Sequence, residues 1–309
     1  MTKVFVIGNA TVDVIQHVER FPFAGETLLC EALTICAGGK GLNQAIAAAR
    51  TGARTVLRSP LATDGNGDLL KRTAASETDL AADWLIVEPP TDVSSIWIAA
   101  TGENMIVSSA DAAAFMTPAH IAATCSEIVP DDLLLLQGNL SEATTAAAIA
   151  LARKKGARVL LNTAPMQAWM RPLLADVDLL IANEIEAREL SEGADDAAAA
   201  LLRTGARVVV ISRGRHGALL ATRAGQYAMQ PPVVQAIDTA GAGDVLTGTL
   251  AGLLAQGSEV HEALPLAIAA ASLSVTRAGT TPSFPSRAEF AELKARPYIH
   301  ADPKETVRA

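Results

Sequence analysis

Cysteine is scarce in this chain: Cys30, Cys36 and Cys125 form an odd set with no C-x-x-C spacing among 309 residues, which argues against a disulfide framework or a structural zinc site and for reduced thiols. Aromatic residues make up only 4%, too few to build stacking platforms for single strands. Basic residues are outnumbered, and a net charge of -8 leaves no basic face to displace counterions from nucleic acid. No apolar run approaches the roughly 18 residues of a membrane-spanning helix. The opening run Lys3-Val4-Phe5-Val6-Ile7-Gly8 is too short for a secretory signal and reads as a first strand, so a cytoplasmic enzyme is expected.

What is present is an alternation of short apolar runs with alanine-rich helical stretches. Leu133–Leu136, Val159–Leu161, Leu179–Ile181 and Val208–Ile211 have the continuous hydrophobicity of parallel strands covered on both faces. Glu142–Lys155, Ala197–Thr204 and Leu246–Gln256 read as helices, each followed by a glycine where a left-handed cap belongs. The pattern predicts right-handed βαβ units in an α/β, doubly wound, mostly parallel sheet flanked by helices. Val93–Ala99 and Met105–Ser108, joined by Thr101-Gly102-Glu103-Asn104, predict a hairpin. It should pair with the extended stretch near 12–36 to form a small β-sheet lid, so that 1–309 is one domain with lid insertions at about 12–36 and 92–109.

Two glycine-rich sites carry the chemistry. Gly38-Gly39-Lys40-Gly41 precedes the helical pattern Leu42–Arg50; it is not a phosphate-binding P-loop, because Thr34 stands where the leading glycine belongs and Gly41 where a hydroxyl belongs. A lysine at a helix N-terminus opposes the macrodipole, so it either faces an anion or polar ligand or is a solvated side chain on a tight turn. The second site is Asp238-Thr239-Ala240-Gly241-Ala242-Gly243-Asp244, leading into a helix from Val245. Its backbone N–H groups should converge as an anion hole. Asp244 beside them is either the base for an attacking hydroxyl or an acidic helix cap. Leu246 stands where a dinucleotide fingerprint needs its third glycine.

Asn183-Glu184-Ile185-Glu186 follows the strand at Leu179, where Asn183 and Glu186 suit magnesium or simply start a helix. Ser212-Arg213-Gly214-Arg215-His216-Gly217 follows another strand, as a phosphate contact through Arg213 or a polar turn.

These segments together resemble the ribokinase-like carbohydrate kinases, the PfkB family: residues 38–45 match its N-terminal signature and residues 238–244 its C-terminal one, and the likeness extends to Asp13, Gly102-Glu103-Asn104 and Val275–Ser283. The resemblance implies an ATP-dependent transfer of the γ-phosphoryl group to a primary hydroxyl of a sugar, a pentose such as ribose or a ketohexose. It implies Asp244 as general base, with Gly241, Ala242 and Gly243 forming the anion hole. Thr11, Asp13, Gly38, Gly39, Lys40, Asn43 and Asn139 would bind substrate; Asn183, Ser212, Arg213, Gly214, Gly217 and Gly243 would face ATP. Magnesium would be held through water at Asn183 and Glu186. A monovalent cation, expected to be potassium, would sit at Asp238, Ala240, Ser274, Arg277, Gly279 and Ser283. Two positions depart from ribokinase members: Thr11 replaces an asparagine and Asn139 a glutamate, which changes the donor and acceptor pattern offered to the sugar. A nucleoside kinase with Trp97, Ile98, Met105 and Ile106 against the base, and a non-catalytic sugar-binding protein, are the alternative readings. A homodimer through the exposed lid edge is also expected.

Overall fold

The computed structural model describes residues 2–296. Strands β1 (Val4–Ile7), β2 (Thr11–Val18), β3 (Ala32–Gly38), β4 (Thr55–Ala62), β5 (Leu80–Val87), β6 (Val93–Ala99), β7 (Asn104–Ser108), β8 (Leu133–Leu136), β9 (Arg158–Asn162), β10 (Leu179–Asn183), β11 (Val208–Ser212), β12 (Ala218–Thr222) and β13 (Gly225–Met229) form two sheets.

The larger sheet has the order β13-β12-β11-β10-β9-β8-β1-β4-β5. From β11 to β5 every pairing is parallel, and only the β11–β12 and β12–β13 pairings are antiparallel. The alternation of side chains along each strand divides two cores. In β8, Leu133 and Leu135 face the core shared with helices Lys40–Arg50, Ala242–Ala255 and Val260–Ser274, while Leu134 and Leu136 face the one shared with helices Glu142–Lys155, Glu184–Leu190 and Ala197–Arg203. Burial on both faces is why these strands read as unbroken apolar runs.

The expected α/β architecture is therefore present, with one change of boundary. The helix placed from Val245 begins at Ala242, because Gly241 takes the left-handed conformation (φ 76°) and turns the chain into it. The glycines expected as helix stops do carry positive φ, 77° at Gly156, 115° at Gly205 and 92° at Gly257.

The two insertions pair as expected into a four-stranded sheet ordered β3-β2-β6-β7. Strand β2 is antiparallel to β3, with Asp13 opposite Cys36, and parallel to β6, with Val12 opposite Val93. The β6–β7 hairpin turns at Gly102. Ile15, Cys36 and Ile96 form its small apolar core, while Leu33 and Ile35 on β3 and Met105, Ile106 and Val107 on β7 are exposed. Among the described residues no helix is long and apolar enough to cross a membrane.

Candidate active site

Asp244 lies in the first turn of helix Ala242–Ala255 and is buried. Its hydrogen bonds run to a neighbouring helix. The helix has no side-chain cap; instead Asn43 Nδ2 donates to Asp244 Oδ2 at 3.0 Å and Gln44 Nε2 donates to Oδ1 at 2.9 Å, both from helix Lys40–Arg50. Among the described residues no acceptor meets the backbone N–H groups of Gly243 and Asp244, whereas that of Ala242 donates to the Thr239 carbonyl at 3.3 Å. A Cβ on Gly243 would touch nothing within 4 Å, but one on Gly241 would come within 2.7 Å of the Phe284 ring. The result is a buried carboxylate beside a helix N-terminus whose Gly243 and Asp244 amides have no acceptor among the described residues, a geometry suited to receive negative charge.

The glycines of the first signature pack more closely on the protein than the sequence suggests. A Cβ on Gly39 (φ 87°) would lie 2.7 Å from the Thr11 backbone nitrogen, one on Gly41 2.6 Å from the Asn9 carbonyl, and one on Gly38 2.1 Å from Asp13 Oδ2. They let the loop lie flat against the β1–β2 connection and bring Asp13 towards the Asp244 helix. Lys40 opens its helix, half-buried, with no ion-pair partner among the described residues.

Asp13 is buried on β2. Thr11 Oγ1 donates to its Oδ1 at 2.9 Å and Thr280 Oγ1 to its Oδ2 at 3.3 Å. Burial pushes its carboxyl up to about 6, the charge of Asp244 adds to the rise, and the hydroxyl donors oppose it. Thr11 in turn accepts from Ser94 Oγ at 3.4 Å, which accepts from Ser108 Oγ at 2.9 Å, so a line of hydroxyls runs from the small sheet into Asp13. Asn43 Oδ1 and, at the end of β8, Asn139 Oδ1 are buried acceptors without partners, an arrangement that a hydroxyl-bearing ligand would satisfy.

The remaining residues named from sequence lie along the carboxyl ends of the parallel strands or in the two loops before and after helices Ala242–Ala255 and Val260–Ser274. Asn183 and Glu186 form a reciprocal capping box: Glu186 N–H donates to Asn183 Oδ1 and Asn183 N–H to Glu186 Oε2, each at 2.9 Å. Glu186 Oε2 also accepts from Thr163 Oγ1 at 3.2 Å, leaving Oε1 uncommitted. Ser212 ends β11, and Arg213 and Gly214 follow in a tight turn closed by Arg213 N–H to the Gly217 carbonyl at 2.8 Å. Gly217 has a packing reason of its own, since a Cβ there would lie 1.9 Å from the Met229 carbonyl.

Asp238 ties the two loops together, its Oδ1 accepting from Ala240 N–H and its Oδ2 from Gly279 N–H, both at 2.9 Å. Ser274 and Ser283 spend their hydroxyls on the carbonyls of Ala271 and Thr280, and Arg277 pairs with Glu289, holding that carboxyl down to about 2. The carbonyls of Ala240, Arg277 and Gly279 accept nothing among the described residues, which suits a cation bound by backbone oxygens. No group of three or more His, Cys, Asp or Glu side chains among the described residues could hold a metal by itself.

Four contributors escaped the sequence reading: Gln44, Gln137, Asn162 and Thr280. Gln44 interrupts an otherwise apolar helix face, Gln137 directly follows β8 and Asn162 ends β9, which is the one signal that could have found them.

Residues 1–287 match the pfkB family of carbohydrate kinases. The chain is 32% identical over 296 residues to ribokinase of Haemophilus influenzae, covering 93% of this chain and 97% of that protein. It is 31% identical over 297 residues to deoxyribokinase of Salmonella typhi, with the same coverage. The structure of Arabidopsis thaliana ribokinase complexed with ribose and ATP superposes with a TM-score of 0.81 at 25% identity, covering 96% of this chain and all of that one. With the full-length match, the shared fold and the two glycine-rich loops in place, the chain belongs to the pfkB family of carbohydrate kinases and is an ATP-dependent sugar kinase.

Proposed function

We propose that this kinase phosphorylates the primary hydroxyl of a pentose, ribose or 2-deoxyribose, with Asp244 as general base. The observation that carries the reading is the pairing of a buried, amide-held carboxylate with the unfilled N–H groups of Gly243 and Asp244. The sugar hydroxyl gives its proton to Asp244 as its oxygen bonds to the γ-phosphorus. The bond from that phosphorus to the β-phosphate bridging oxygen breaks, and ADP leaves. Charge on the equatorial oxygens during transfer is met by the Gly241–Gly243 turn and the helix N-terminus. Asp13 accepts from sugar hydroxyls, and Asn43 and Asn139 offer their unpartnered oxygens to others. Thr11, Gly38, Gly39 and Lys40 complete the sugar side, while Asn183, Ser212, Arg213, Gly214 and Gly217 line the nucleotide side.

Magnesium, which neutralises phosphate charge when bound, fits Asn183 and the uncommitted Glu186 Oε1 through water. Potassium, which would stiffen the anion-hole loop, fits the carbonyls of Ala240, Arg277 and Gly279 beside Asp238, with Ser274 and Ser283 flanking them. The four-stranded sheet serves as a lid over the sugar, and its exposed apolar edges on β3 and β7 pair with a second copy.

The test is ADP release across pentoses, ketohexoses and nucleosides, in sodium and in potassium. Turnover confined to nucleosides would overturn the pentose assignment. Asp244→Asn should lower kcat by about 10³-fold with ATP affinity retained; an active variant would remove Asp244 from the base role.

A further inference from the structure

The base does not sit alone: a chain of buried amides reaches it from the central strands. Gln44 Nε2 donates both to Asp244 Oδ1 and to Asn162 Oδ1, each at 2.9 Å, and Gln44 Oε1 accepts from Gln137 Nε2 at 2.9 Å. Asn162 Nδ2 donates to the Ile181 carbonyl at 3.2 Å. Gln44 and Gln137 are both 0% exposed.

The direction of every amide follows from one group that can only accept. The Ile181 carbonyl requires the Asn162 NH₂ to face it, so Asn162 Oδ1 faces Gln44. Gln44 must then present its NH₂ to Asn162 and Asp244, and its oxygen to Gln137. Rotating the Gln44 amide by half a turn would set its oxygen against two others. Gln137 makes that rotation costlier still, because its own NH₂ would lose its acceptor. The strain of this arrangement falls on Gln137 Oε1, which is buried without a partner. It is accommodated because residue 8 is glycine; a Cβ there would be 2.0 Å from that oxygen. Packing alone would be served as well by apolar side chains of the same volume, which need no partners.

We propose that Gln44 is a positioning residue for Asp244, and that Gln137 fixes which end of the Gln44 amide faces the base. Each carboxylate oxygen then receives one amide N–H, from Asn43 and Gln44, and the lone pairs facing the sugar hydroxyl stay free and correctly aimed. Asp13 on β2 is a titratable neighbour, its carboxyl raised by burial and in part by the charge of Asp244. The inference rests on Asp244 being the base.

The experiment compares wild type, Gln44→Met, Gln137→Glu and Asp244→Asn for kcat, KM for ATP and thermal melting. Gln44→Met removes the donor at nearly constant volume; kcat should fall about 100-fold with KM for ATP unchanged. Gln137→Glu touches no atom of Asp244, yet its carboxylate attracts the Gln44 NH₂ and turns the Gln44 oxygen to the base, so kcat should fall comparably. A folded Gln44→Met with wild-type kcat would overturn the proposal, as would a folded Gln137→Glu with wild-type kcat; if Gln44→Met does not fold, Gln137→Glu decides. Full activity in Asp244→Asn would instead overturn the base assignment itself.

Discussion

Replacing Asp13 by asparagine should stabilise the protein at neutral pH while abolishing tight sugar binding. Asp13 is 4% exposed, and burial, aided by the Asp244 charge, moves its carboxyl from the ordinary 3.8 to about 6. The folded protein therefore holds this proton more tightly than the unfolded chain, and stability falls as pH rises between about 4 and 6. Above that window the ionised group destabilises the fold in full. At about 1.4 kcal/mol per pKa unit, the rise corresponds to about 3 kcal/mol. An asparagine carries no charge and still offers one oxygen to Thr11, so part of that energy should return, about 1–3 kcal/mol or about 1.5–5 °C in melting temperature. The assay is thermal unfolding of both proteins from pH 4 to 8, with kcat/KM for the sugar measured alongside. The two melting curves should coincide near pH 4, separate up to pH 6 and stay apart above it, while kcat/KM in the variant falls at least about 100-fold. A variant less stable than wild type at pH 8, or a gap that does not change with pH, would refute the reasoning.

Gly38→Ala would place a methyl 2.1 Å from Asp13 Oδ2, so KM for the sugar should rise by about tenfold or more with KM for ATP little changed, read from initial rates. Gly243→Ala meets nothing in the protein and favours helix, so melting temperature should hold or rise, whereas kcat should drop because the methyl occupies the space above the anion hole. Exchanging potassium for sodium should lower kcat in ADP-release assays, and Asp238→Asn, which weakens the tie between the Ala240 and Gly279 amides, should diminish the difference between the two salts.

The parallel strands were legible because a strand buried on both faces leaves an unbroken apolar run, as at Leu133–Leu136, and the helix ends because glycines such as Gly156 supply a conformation few other residues adopt. The β6–β7 hairpin was legible from its alternation and turn. Its parallel partnership with β2 was guessed only as a pairing, since nothing local in either strand specifies direction. At the site, Asp244 and the glycines announce themselves by spacing. Gln44, Gln137 and Asn162 do not, because a lone amide acquires meaning only from groups that the fold brings to it. The Asn183–Glu186 pair was ambiguous for a physical reason: an asparagine three residues before a glutamate is both a capping box and a set of oxygen ligands.

The parallel join between β2 and β6 also constrains how the molecule assembles. Helix Lys40–Arg50, strands β4 and β5 and helix Gly65–Ala75 all lie between these strands in the chain, so no local step can zip them together, and loop-closure entropy must be met before the join is rewarded. The small sheet should form late, after the main core has fixed the ends of both insertions. With a separate apolar cluster of just Ile15, Cys36 and Ile96, it should also be the first unit to open, its β2 amides exchanging with solvent well before those of β8. Asp13 rides on that unit and Asp244 on the rigid one, so with the roles proposed for them the sugar contact can loosen while the base stays in place.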